Sequence, residues 1–174
     1  MLDHELPVMT DFLPVVSQFQ TKLGFKFQDI TLLETALTHS SYAKKNRKER
    51  VEDNERLEFL GDAVLGFIVC YETFQKFPEF EEGDMTKVKS AVVSRRVCAE
   101  ISQELDLIRI LKVGKGMSGG ELPESVSGAA YEAIIGAIYL DKGFESARTF
   151  VLRTIEDRID EAAASTHQDN YKSV

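Results

Sequence analysis

Apolar residues recur at helical spacing along most of this chain. From Phe12 to Leu23 they fall at 12, 13, 15, 16, 19 and 23, one face of an amphipathic helix, with Pro14 tolerated in its first turn and Gly24 ending it. Ile30 to Leu37 predicts a second helix, started by Asp29 or Thr31, with Glu34 placed for a capping box behind Thr31. The polar stretch Thr38 to Asn54 predicts a loop or irregular segment. Glu55 to about Lys76 reads as a long helix that is apolar nearly all round, which predicts a buried, central position. Pro78 and Gly83 mark the next turn, and Asp84 to about Leu105 predicts one further helix capped near Asp84 or Thr86. Val113 to Glu124 holds four glycines and a proline and predicts a loop. Ser125 to Leu140, rich in apolar and small residues, predicts a second buried helix broken by Gly143. Phe144 to about Ala164 predicts a final amphipathic helix, with 1–164 forming one domain and 165–174 a linker. Strand signals are nearly absent. The expected fold is all-α, with roughly six or seven helices.

Composition narrows the class. A chain of 174 residues suits one compact domain. No apolar run approaches the roughly 20 residues that span a bilayer, so no membrane partner is expected. The opening MLDHELPVMTDF lacks a basic n-region and does not read as a secretory signal. Cys70 and Cys98 sit in apolar helical contexts and read as reduced core residues, which points to a cytoplasmic compartment. The net charge of −8 argues against a whole-surface electrostatic binder of nucleic acid. Two local basic groups stand out: Lys44, Lys45, Arg47, Lys48 and Arg50, and Lys87, Lys89, Arg95 and Arg96. On charge alone, each reads as solvated surface.

The candidate chemistry lies in NERLEFLGDAVL, Asn54 to Leu65. Glu55, Glu58 and Asp62 are spaced i, i+3 and i+7 and share one helical face. Three acids without a base on that face repel one another unless a cation joins them, and a divalent metal with oxygen ligands is the simplest candidate. Glu132 stands inside AAYEAIIGAIYL, where a carboxylate is costly unless paired, protonated or metal-bound. Alone it could pair with an arginine such as Arg56. With four acids on two apolar helices, convergence of Glu58, Asp62 and Glu132 becomes the better account, and it suits metal-assisted phosphodiester cleavage. There is no GxxxxGK[ST] phosphate loop, and His39 lacks the spaced His or Cys partner that a zinc site needs.

NERLEFLGDAVL resembles the signature of the ribonuclease III family, and LGFKFQDITLLETALTHSSYAKK, EGDMTKVKSAVVS and YEAIIGAIYLDKGFE resemble the rest of its nuclease domain in the same order. The resemblance spans roughly residues 19 to 160. It implies the all-α fold of that endonuclease domain and metal-dependent cleavage of double-stranded RNA, leaving 5′-phosphate and 3′-hydroxyl ends, in the maturation of ribosomal and messenger RNA. It implies Mg²⁺, with Mn²⁺ as a substitute, and a homodimer. By position, Glu58, Asp62 and Glu132 match metal ligands. Glu55 and Glu82 match acids that assist at the subunit junction. Phe59 matches an aromatic that enters a pocket of the partner; ordinary core packing is the alternative. The family pattern has an Asp where this chain has Ala129, on the same helical face as Glu132. Water could stand in for that oxygen ligand. The alternative is a catalytically impaired member that binds structured RNA. The last residues resemble the linker that leads to the family's double-stranded-RNA-binding domain.

Overall fold

The computed structural model describes residues 12–46, 51–118 and 120–172. Arg47, Lys48 and Arg50 of the first basic group lie outside the described residues, as does the opening segment 1–11. Eight α-helices and one 3₁₀ turn appear among the described residues: α1 (Phe12–Leu23), α2 (Ile30–Ala36), α3 (Ser40–Lys45), α4 (Glu55–Lys76), α5 (Glu82–Val92), α6 (Arg95–Glu104), the 3₁₀ turn Leu107–Arg109, α7 (Glu124–Lys142) and α8 (Phe144–Lys172). The all-α expectation holds. Among the described residues no helix is long and apolar enough to cross a membrane.

Most predicted elements coincide with observed ones, and each departure has a local cause. Asp29 caps α2, accepting the Thr31 amide at 3.0 Å and its hydroxyl at 2.6 Å, so the Thr31 hydroxyl is spent on Asp29. The expected irregular stretch after Thr38 contains α3, capped by His39, whose Nδ1 accepts the Ser41 amide at 3.2 Å. The expected single helix from Asp84 to Leu105 is two. Ser94 leaves the helical region at ψ 149 and its hydroxyl accepts the Val97 amide, starting α6 anew. The last helix continues past Ala164 to Lys172, with Thr166 buried and the His167 ring edge-on to Phe80 at 5.1 Å.

Helix α7 is the axle of the fold. It is buried from Val126 to Ile138 except at Glu132, and α2, α4, α6 and α8 pack around it. Leu65, Ile68 and Val69 of α4, Ile101 of α6 and Phe150 of α8 meet Tyr131, Ile134, Ile135 and Ile138 of α7 in one core. The Tyr131 hydroxyl is not stranded there, because it shares a 2.7 Å hydrogen bond with Thr154. Outside the core, α8 is tied to its neighbours by Arg148–Glu72, Lys76–Asp160 and Arg158–Glu104 pairs, each at 2.6 Å. Between α2 and the loop after the 3₁₀ turn, a short parallel bridge forms: the His39 amide donates to Lys112 O at 2.9 Å, and the Lys112 amide to Leu37 O at 2.8 Å.

Helix α4 is not buried all round as its composition predicts. Leu57, Val64, Leu65, Ile68 and Val69 face the core, whereas Phe59, Phe67, Tyr71 and Phe74 form an exposed apolar stripe. Cys98 is buried as expected; Cys70, on that outward stripe, is exposed. The period of the apolar positions is the same for both faces, so only the packing of α7 and α8 on one side separates them.

Candidate functional site

Helices α4 and α7 cross at glycines. A Cβ on Gly136 would lie 2.4 Å from the Leu57 carbonyl oxygen, and one on Gly61 would overlap the Glu132 backbone. Absence of side chains at these two positions lets the helix backbones touch, which places the residues beside them close together. Gly61 lies next to Asp62 and three residues from Glu58. The crossing therefore sets the acidic face of α4 directly against Glu132.

The start of α4 is held as firmly. The Asn54 amide donates to Thr38 O at 2.9 Å, and its side-chain Nδ2 donates to Ala36 O at 3.3 Å, so α4 begins on the end of α2. The Glu55 amide is met by the Asp53 carboxylate at 3.2 Å. Glu55 and Glu58 occupy the first turn of α4, where the helix dipole favours negative charge.

Glu55, Glu58 and Asp62 of α4 and Glu132 of α7 line one cavity of about 590 Å³, with Arg95, Ser125, Gly128 and Ala129 in its wall. Burial raises the Glu132 carboxyl to about 7, and the charges of Asp62 and Glu58 push the same way. Burial likewise raises Glu58, helped by Glu55 and Asp62 and opposed by Arg95. No arginine neutralises Glu132 by direct pairing among the described residues; the expected alternative with Arg56 does not occur. Instead the Cys98 thiol of α6, fully buried, lies beside it. Burial and the Glu132 charge push that thiol up to about 12, so it stays protonated.

Among the described residues no three acidic, histidine or cysteine side chains close into a finished metal cage. The donor set nonetheless fits a hard divalent cation. Its ligands are carboxylate oxygens, they share one cavity, and two of them are driven towards protonation by burial and then by neighbouring acids, both of which a cation would offset. Ala129 lies in the same wall, buried, and contributes no oxygen.

Glu82 is not brought to this cavity within one chain. It lines a second cavity of about 390 Å³ with Phe67, Cys70, Phe74 and Lys89, and accepts the Thr86 hydroxyl at 2.8 Å. A third cavity of about 300 Å³ lies between, sharing Asp62 with the first and Phe67, Cys70 and Lys89 with the second. Phe59, 81% exposed, stands at the edge of the acidic cavity, so core packing does not account for it. His39 is a helix cap, its Nδ1 2.8 Å from the Ser41 hydroxyl, and belongs to the scaffold.

Sequence reasoning did not single out Cys98 or Arg95 for the site. Both lie on α6, whose start at Ser94 was absorbed into a longer helix. A Ser-x-x-Val cap after Val92-Val93 is the local signal that would have separated α6 and turned attention to its first turns.

A family model described as Ribonuclease-III-like matches residues 29–159. The chain is 42% identical over 159 residues to a Ribonuclease 3 of Desulforamulus reducens, covering 90% of this chain and 65% of that protein. It is 41% identical over 165 residues to one of Rhodopirellula baltica, covering 94% and 60%. The chain thus spans less than two thirds of the length of these relatives. The solved nuclease domain of ribonuclease III from Campylobacter jejuni superposes with a TM-score of 0.75 at 40% identity, covering 82% of this chain and 97% of that one. Giardia Dicer, at 21% identity and TM-score 0.66, shares the fold over 87% of this chain and 20% of its own. With three quarters of its length matched, and with the acids of α4 and α7 gathered in one cavity, this chain belongs to the Ribonuclease-III-like family.

Proposed function

We propose that this chain is the nuclease domain of a divalent-metal-dependent endoribonuclease acting on double-stranded RNA. The observation that carries the reading is the shared cavity of Glu55, Glu58, Asp62 and Glu132, built by the glycine crossing of α4 and α7. Glu58, Asp62 and Glu132 would hold Mg²⁺, or Mn²⁺ in its place. A bound cation of this kind offsets phosphate charge, acidifies a water and stabilises the leaving oxygen. Glu55, at the cavity edge, orients water by hydrogen bonding. Hydrolysis leaves a 5′-phosphate and a 3′-hydroxyl, and duplex RNA is selected by A-form shape and 2′-hydroxyls rather than by base sequence. Maturation of ribosomal and messenger RNA in the cytoplasm is the fitting setting, and the free thiols of Cys70 and Cys98 accord with a reducing compartment.

The working unit in this reading is a homodimer. The exposed stripe Phe59, Phe67, Tyr71 and Phe74 supports it, since a two-fold interface buries the same patch twice. The Campylobacter jejuni domain is itself described as having a region involved in dimer formation. Phe59 would enter the partner, and Glu82 would assist at the junction.

A second reading is favoured by Ala129: a site short of one oxygen ligand that binds duplex RNA without cutting it. One experiment separates the two. Long duplex RNA is incubated with the chain and Mg²⁺ at low salt, beside Glu132→Gln. Cleavage by the parent that is lost in Glu132→Gln supports the nuclease. Duplex binding by the parent with no cleavage under Mg²⁺ or Mn²⁺ supports the second reading.

A further inference from the structure

Among the described residues, the acidic cavity has one cation in its wall. Arg95, the first residue of α6, lines it together with Glu58, Asp62 and Glu132. Its backbone is seated firmly: a Cβ on Gly128 would lie 3.3 Å from the Arg95 carbonyl oxygen and 3.4 Å from Cys98 Cβ, so α6 rests on α7 one turn before Glu132. Its side chain is exposed and feels the charges of Glu58 and Glu132, but among the described residues it closes no ion pair or hydrogen bond. The next residue provides a contrast. Arg96 points elsewhere and is engaged by Glu100 at 3.1 Å.

A guanidinium carried by a seated backbone at the wall of a cavity of carboxylates acts on Glu58 and Glu132 through its charge, yet closes no ion pair or hydrogen bond with either, which leaves its N–H donors available. Its planar fork of N–H donors matches the non-bridging oxygens of a phosphodiester. The acids themselves repel a phosphate, so a substrate reaching them needs a positive group at the entrance. We propose that Arg95 contacts the phosphate of the RNA strand at the acidic cavity, binding a non-bridging oxygen as the strand is cut. This rests on the nuclease reading above. It extends that reading to a residue outside the acid set.

The test compares the parent chain with Arg95→Ala, Arg95→Lys and Arg96→Ala, each checked for an unchanged thermal melt. Cleavage of a long RNA duplex is followed against RNA and against Mg²⁺, and duplex affinity is followed against salt with Ca²⁺ replacing Mg²⁺. The expected result is a loss of kcat of about 100-fold in Arg95→Ala, part recovery in Arg95→Lys and little change in Arg96→Ala. The log–log salt slope of binding falls by about 1 in Arg95→Ala. The proposal is overturned if Arg95→Ala matches Arg96→Ala in both cleavage and salt slope. It is also overturned if Arg95→Ala only lowers the Mg²⁺ needed for half activity, the mark of a charge that merely balances the acids. Should the parent bind duplex without cutting it, the nuclease reading fails by itself, and the salt slope still decides whether Arg95 meets phosphate.

Discussion

Gly61 and Glu132 are in backbone contact: a Cβ added to the glycine would fall 1.7 Å from the Glu132 carbonyl oxygen. The acid of α7 is therefore positioned by the absence of a side chain on α4. With Gly136 making the reciprocal approach to Leu57, the two helices are locked at the one place where their acids must meet.

Gly61→Ala cannot be absorbed by a rotamer change, because the obstacle is backbone. The helices must separate, and the expected cost exceeds about 3 kcal/mol, beyond ordinary overpacking. Urea unfolding measures it. A variant as stable as the parent would show that the crossing is loose.

Glu132 makes stability depend on pH in the absence of metal. Its folded value of about 7 lies above the ordinary 4.5, so the folded chain keeps a proton that the unfolded chain releases between those values. Metal-free stability is thus fully present below 4.5 and declines as pH rises to about 7. Glu58, raised by the same burial, shares in this loss, and solvent screening at the half-buried Glu132 keeps it below the full value of its shift. Glu132→Gln is expected to flatten this decline, as read from urea midpoints in chelator across that range. An unchanged slope would place the titrating group elsewhere.

A divalent cation acts in the opposite sense. It binds the ionised carboxylates, so the parent gains thermal stability from Mg²⁺ or Mn²⁺ above pH 7 and little at acid pH. Glu132→Gln should lose most of that gain. Equal shifts in parent and variant would mean that the cation binds outside the cavity.

Ala129→Asp places an extra carboxylate in the cavity wall. Without metal it is expected to destabilise the fold by about 1–3 kcal/mol, as another buried charge among acids. With metal it should lower the Mg²⁺ concentration for half-maximal cleavage. Cleavage titrations with Mg²⁺ check this, and no change would show that water already serves in place of the missing oxygen.

Phe59→Ala separates assembly from folding. With 81% of its surface exposed in the protomer, Phe59 contributes little there, and the change should alter protomer stability by less than about 0.5 kcal/mol. If Phe59 enters a partner subunit, the same change shifts the dimer towards monomer in sedimentation at micromolar concentration. An unaltered distribution would remove Phe59 from the interface.

The sequence by itself determined most of the helices, though not α3 or the break between α5 and α6, and it singled out the acids. The apolar spacing in α4 marks Glu55 to Lys76 with the observed ends, and Glu55, Glu58 and Asp62 share a face because helical geometry is local. Glu132 was legible too, since a carboxylate in an apolar run demands an explanation wherever that run packs. Only the tertiary structure decided which apolar face of α4 is covered and which, with Phe59, Phe67 and Cys70, is left outward. It also separated Glu82 from the other acids, broke α6 from α5 at Ser94, brought Arg95 to the cavity and set Cys98 beside Glu132. The physical reason is range. Periodicity and capping act over a few residues, whereas the meeting of α4, α6 and α7 depends on backbone approach at Gly61, Gly128 and Gly136, between segments far apart in the chain.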